Sequence, residues 1–183
     1  NNSAQGVGFE IYNTDHTARN ALRIYSDAGN SNTFNSIEAY ASRGSIVTPT
    51  INAADDSLFG YIHHGYDGTQ YVQSSYIVAG IDSQASVGVG AMPGNILLGT
   101  TPDNGSTVNS VVINKDGNLG VNTLTPSKKL VVNGNAQVVN ELLLGNMDQT
   151  AIDALTGANG MIVYNTSTNK FQGYENGAWA NLI

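Results

Sequence analysis

Short alternating stretches, each cut off by a turn dipeptide, govern what this chain can fold into. Phe9-Glu10-Ile11-Tyr12 runs into Asn13-Thr14-Asp15, and Ala21-Leu22-Arg23-Ile24-Tyr25 runs into Ser26-Asp27-Ala28-Gly29-Asn30. Leu58 to His63 leads to Tyr66-Asp67-Gly68, and Val111-Val112-Ile113-Asn114 leads through Lys115-Asp116-Gly117-Asn118 to Leu119-Gly120-Val121. Asp-Gly and Asn-Gly steps supply the positive φ angles of tight hairpins. Strands of this length and spacing predict an all-β fold.

Further along, Leu130, Val132, Gly134, Ala136 and Val138 fall on one face of an extended segment, a small-residue face suited to close approach of neighbouring chains around an axis. One short helix is expected near 148–156, with Asp148 as its cap, Gly157 as its stop, and Met147, Ala151, Ile152 and Leu155 on one side. A helix that short cannot stand alone. Met161–Tyr164, Lys170–Tyr174 and Ala178–Leu182, separated by Asn165–Asn169 and Glu175-Asn176-Gly177, read as a three-stranded meander. A sheet so small is marginal by itself. The expected organisation is a shaft-like N-terminal β segment over 1–40, truncated at its start; a β module over 41–134; a strand, helix and linker over 135–160; and the meander over 161–183.

Charged residues make up 11% of the chain, against about 25% in an ordinary soluble domain. Hydrophobic residues reach 40%, enough for a core and unlike a disordered composition. The net charge is −7 and no basic patch occurs, which argues against nucleic acid and anionic membrane as partners. No apolar run is long enough to span a bilayer. The chain contains no cysteine, which removes disulfides, thiolate metal sites and cysteine nucleophiles. Without disulfides, oligomerisation is the expected source of stability for small β units.

The order of several blocks is familiar. Arg43-Gly44-Ser45 through Pro49-Thr50, Gly65-Tyr66-Asp67-Gly68-Thr69, and Met92-Pro93-Gly94-Asn95-Ile96-Leu97-Leu98-Gly99-Thr100-Thr101-Pro102-Asp103 together resemble a module of bacteriophage tail fibre and related virion proteins. Asp116-Gly117-Asn118-Leu119-Gly120-Val121-Asn122-Thr123, then Pro126 and Lys129-Leu130-Val131-Val132-Asn133-Gly134, is similar to the fibre pattern Gly-Asn-Val-Gly-Ile-Gly-Thr, Pro, Lys-Leu, Val-x-Gly. Asn122 stands where that pattern has Gly. The block from Gly160 to Leu182 resembles the C-terminal block of many phage structural proteins. The resemblance spans roughly 40–183 and implies an intertwined β-rich homotrimer. It also implies an N-terminal side that contacts other virion proteins, an outward C-terminal end and a place on the extracellular face of a virion. The chain begins at Asn1, which reads as a fragment of something longer.

Candidate chemistry is sparse. His63 and His64 are weak metal candidates, able to act only if copies converge on a threefold axis, because neighbours on a strand point to opposite faces. Asp55-Asp56 lacks the alternating oxygen ligands of a calcium loop and reads as a turn before the strand at Leu58. Asp116-Gly117-Asn118 reads as a hairpin turn. Asp15-His16 with a distant Ser lacks any nucleophile-elbow pattern, and no carboxylate pair suits glycoside cleavage. The expectation is no catalysis and no cofactor. Tyr61, Tyr66, Tyr71 and Tyr76 crowd one window, for packing or for stacking on a glycan. For receptor contact the expected residues are Gln172, Tyr174 and Asn176, on an exposed strand face, with Trp179 as a further candidate and Phe171 packed inward. The function expected is a structural tail fibre involved in host attachment through a surface glycan or protein. A capsid-decorating or head fibre is the alternative, and a polysaccharide-degrading tailspike a more distant one.

Overall fold

The computed structural model describes residues 37–45, 47–103, 105–106 and 108–182. The strands expected at Phe9–Tyr12 and Ala21–Tyr25, the pair Asp15-His16, and most of the expected segment 1–40 lie outside the described residues. Among the described residues the fold is all-β with one short helix, and the chain divides into two compact units after Val131.

In the first unit a small hairpin pairs β1 (Arg43–Gly44) with β2 (Pro49–Thr50). A six-stranded sheet follows in simple sequential order: β3 (Ser57–Tyr66), β4 (Tyr71–Ile81), β5 (Gly94–Thr100), β6 (Val108–Ile113), β7 (Leu119–Val121) and β8 (Leu130–Val132). Several turns among the described residues are held by a side chain. Asn114 Oδ1 accepts from the backbone N–H groups of Asp116 and Asn118, closing the β6–β7 hairpin around Gly117 (φ +67°). Asp82, nearly fully buried, accepts from the backbone N–H of Gln84 and, across the chain, of Lys115 at 2.9 Å, so one carboxylate ties the loop after β4 to the turn after β6. Asp56 accepts a bidentate pair from Arg43 (2.9 and 2.8 Å) and the Ala53 N–H, anchoring the β1–β2 hairpin to the foot of β3.

Asn122 departs from the glycine of the fibre-like pattern without departing from its geometry. Its φ is +55°, a left-handed conformation that asparagine tolerates better than most residues. Its N–H donates to the carbonyl of Ser110, the extra residue where the β5–β6 register shifts. Gly120 beside it has no such freedom, since a Cβ there would sit 2.5 Å from the Thr123 carbonyl.

The extended face expected over 130–138 does not form. Pairing stops at Val132, and 135–138 lie outside any strand with Ala136 and Val138 exposed. That stretch finds no partner strand among the described residues, and an unpaired strand leaves its backbone groups to water.

The second unit opens with β9 (Asn146–Met147), passes through α1 (Gln149–Asp153), and returns in β10 (Ile162–Asn165) parallel to β9. The antiparallel strands β11 (Lys170–Glu175) and β12 (Ala178–Asn181) complete a four-stranded sheet in the order β12-β11-β10-β9. The expected meander is present, and so is the expected cap: Asp148 accepts from the Ala151 N–H at 2.8 Å. The helix stops earlier than expected, at Asp153 with Ala154 as its C-cap, and Leu155 is exposed. Asn176 (φ +51°) and Gly177 (φ +84°) make the β11–β12 turn, the combination that a two-residue type I′ hairpin requires.

Two outcomes test these anchors. Asn122→Val should lower stability by about 1–2 kcal/mol in denaturant melts, while Asn122→Gly should be tolerated. The Arg43 guanidinium, with the Ala53 N–H, holds the Asp56 carboxyl down to about 2 from 3.8. Because the folded value is depressed, the stabilisation is present above the unfolded value and is lost as pH falls from there through about 2. Carbon NMR titration of the Asp56 carboxyl should place its midpoint near 2, and Arg43→Gln should move it up toward 3.8.

Candidate functional site

The alternation of side chains along the six-stranded sheet sorts them into two unlike faces. Cross-strand register aligns Phe59, Ala79, Ile96, Ile113 and Leu119 in one row, and Tyr61, Ile77, Leu98, Val111 and Val121 in the next but one. Rows two apart share a face, and the edge-to-face contact of Phe59 with Tyr61 at 5.1 Å agrees. Both rows are free of charge and apolar but for the Tyr61 hydroxyl. Most positions are also open, with 36% exposure at Phe59 and Leu119 and 50% at Tyr61, while Val111 and Val121 are half-buried. The large aliphatic side chains that are buried among the described residues are only Ile81, Val112, Ile152 and Val163.

The opposite face carries the intervening row Gly60, Val78, Leu97, Val112 and Gly120. Gly120 lies close under the Thr123 carbonyl, and a Cβ on Gly99 would meet the Tyr76 ring at 2.3 Å, so Tyr76 lies flat across the β5 backbone. Burial raises the Tyr76 phenol above its ordinary value. This face is indented where Ser57, Ile62, Gln73, Tyr76, Val78 and Leu97 line a groove of about 220 Å³.

In the second unit the expected strand alternation holds, but the inside and the outside are reversed. Gln172 is 8% exposed, not the open contact residue expected. It accepts from Asn165 Nδ2 and donates to Asn181 Oδ1, each at 3.1 Å, while Asn165 Nδ2 also donates to Gln149 Oε1 on α1 at 2.7 Å. The helix therefore covers the face that holds Gln172. Tyr174 shares that face and packs edge-on against Trp179, its cross-strand partner, at 5.2 Å. Both rings are half-buried. Of the expected contact residues, Asn176 alone is fully exposed, and it serves the turn. Phe171, expected inside, is 39% exposed and meets Tyr164 at 5.1 Å on the outer face. With Leu142, Leu143, Leu144 and Asn146 these two rings line a cavity of about 230 Å³. Gly157, expected as the helix stop, has a different task. A Cβ there would lie 2.1 Å from the Tyr174 ring, so its missing side chain makes the ring's seat.

His63 and His64 lie on β3 at a register irregularity, both exposed, with His63 Nδ1 3.0 Å from Ser75 Oγ. Among the described residues no cluster of three or more metal-ligating side chains occurs, and no helix is long and apolar enough to cross a membrane. The Asp116 carboxylate is engaged by Lys115 Nζ at 2.9 Å. The feature that sequence reading missed is the open apolar sheet face. Its signal was present as spaced pairs, Phe59/Tyr61, Ile77/Ala79, Ile96/Leu98, Val111/Ile113 and Leu119/Val121, which become one surface only when the strands are set in register.

Comparison with known protein families finds no match for the chain, and comparison with curated proteins finds none either.

Gly157→Ala is expected to lower stability by about 1–3 kcal/mol through overpacking against Tyr174. Near-ultraviolet circular dichroism of Trp179 should lose intensity in the same variant, because Tyr174 is the ring against which Trp179 packs.

Proposed function

We propose that this chain is a self-associating structural module of a virion fibre, a tail fibre taking part in host attachment, in which three copies bury their apolar sheet faces against one another. One observation carries the reading: two adjacent rows on one face of the six-stranded sheet are apolar, free of charge and mostly open, bordered by the polar row of His63, Ser75 and Thr100. A sheet must bury one face to be stable, and the described residues of a single chain leave much of that face open to water. Burying a Leu, Ile or Phe contributes about 1.5–3 kcal/mol, so several such residues per copy offset the cost of association. The face suits a second copy of itself because it contains no charge that symmetry would set against its own like. Homo-oligomers close by point-group symmetry, and threefold closure is the arrangement implied by the fibre resemblance over roughly 40–183. That resemblance is also what supports the virion and host attachment.

Light scattering of the full chain should give three times the 19.2 kDa chain mass. Ile77 and Leu98 are cross-strand neighbours at the middle of the face. Changing both to Lys should yield monomer or unfolded protein, whereas lysines at the exposed loop residues Gln84 and Thr168, which bond through their backbone N–H groups, should leave the mass unchanged. A folded wild-type monomer would overturn the reading, and a dimer would overturn its threefold part. Antibody labelling of intact particles in electron micrographs tests the placement on a fibre.

A further inference from the structure

The second face of the same sheet differs in chemistry from the first. β5 pairs with β4 only as far as Ser75, opposite Thr100. Beyond that row β3 and β4 continue as a two-stranded ribbon to the paired residues Tyr66 and Tyr71. The ribbon ends in a fixed turn, where Asp67 Oδ1 accepts from the N–H groups of Thr69 at 2.7 Å and Gln70 at 2.8 Å. Tyr66 and Tyr71 are 61% and 75% exposed with ring centroids 5.4 Å apart. Register places His64 and Gln73 in the row two residues inward, and Ile62 and Tyr76 in the row after that. These rows share one face, which leads from the tyrosine pair into the groove floored by Tyr76, Val78 and Leu97.

We infer that this strip, from the Tyr66–Tyr71 pair through His64 and Gln73 to the groove at Tyr76, is a binding site for a neutral glycan. From Tyr66 to Ile62 it runs about 13 Å, room for a short oligosaccharide. Tyrosine rings stack on the apolar face of a sugar ring. The Gln73 amide and the His64 imidazole can both donate to and accept from hydroxyls. No Lys, Arg or Glu lies in these rows, and the Asp67 carboxylate is committed to its own turn, so nothing on the strip selects a charged ligand. Another copy of the chain fits poorly, because burying His64, Gln73 and two phenols against an apolar surface would leave polar groups unpaired. The strip lies on the face opposite the one proposed for self-association, so both can be used at once. Its meaning as a receptor contact rests on the fibre reading, and in that setting several copies on one particle would multiply a weak single contact.

The test is binding of the full chain to a printed array of neutral hexose, deoxyhexose and N-acetylhexosamine oligosaccharides, with anionic oligosaccharides on the same array. Binding to at least one neutral member is expected. It should weaken by about tenfold in the double variant Tyr66→Ala/Tyr71→Ala, with circular dichroism and light-scattering mass unchanged. Gln73→Ala, a change expected to be neutral for folding, should weaken the same member several-fold and so keeps the test valid if the double variant fails to fold. Binding to no neutral member, binding to anionic members only, or binding that survives the substitutions overturns the inference. Failure of the fibre reading shows separately, as a monomeric mass.

Discussion

Register is the constraint on which the first unit depends. Each strand of the meander is bonded to the one before it, so a single alignment propagates from β3 to β7 and decides which residues share a face. Where the register shifts, between His63 and His64 and between Leu98 and Gly99, the alternation is re-aimed, and the turn side chains of Asp67 and Asn114 hold each hairpin in phase. A slip by one residue would turn the apolar row of Ile77 and Leu98 over to the opposite face. The unit's stability and its surface chemistry therefore have a common origin in the hydrogen-bond ladder, with few buried side chains to add to it.

The two faces created in this way are suited to different tasks. One carries two apolar rows without charge, bordered by the polar row of His63, Ser75 and Thr100. The other mixes rings, an amide and an imidazole with glycines that let Tyr76 lie flat, and it keeps a groove. An oligomer of sheets can bury the first and still display the second, which is the arrangement that a fibre presenting contacts around its circumference would need.

Elements governed by local chemistry were legible in the sequence. The Asn176-Gly177 turn, the hairpin at Asp116-Gly117, the Asp148 cap and the three C-terminal strands all follow from neighbours a few residues apart. Alternation also assigned Gln172 and Tyr174 to one strand face and Phe171 to the other. What alternation cannot state is which face is covered. That depends on where α1 lies, and Asn165 and Gln149, which meet across the gap, are 16 positions apart. A glutamine looks like a surface residue until the amides that satisfy it are known. The open face of the first unit was illegible for a similar reason, since its residues come from five strands and no single stretch carries more than a pair of them.

Four amides of the second unit, of which Asn165 and Gln172 are buried, form a chain with a direction: Asn165 donates to Gln149 and to Gln172, and Gln172 donates to Asn181. Direction matters when side chains age. Hydrolysis of Asn181 to a carboxylate would leave an acceptor where an acceptor already serves. At Asn165 the same reaction would set a carboxylate against two carbonyl oxygens with no N–H between them. The fast route to such damage, an asparagine followed by glycine, occurs in this unit at Asn133, Asn159 and Asn176, away from the amide chain. Asn165 is followed by Thr166, lies in a strand and is fully buried. In this unit ageing would thus reach amides outside that chain before it reached the one on which the contact between helix and sheet depends.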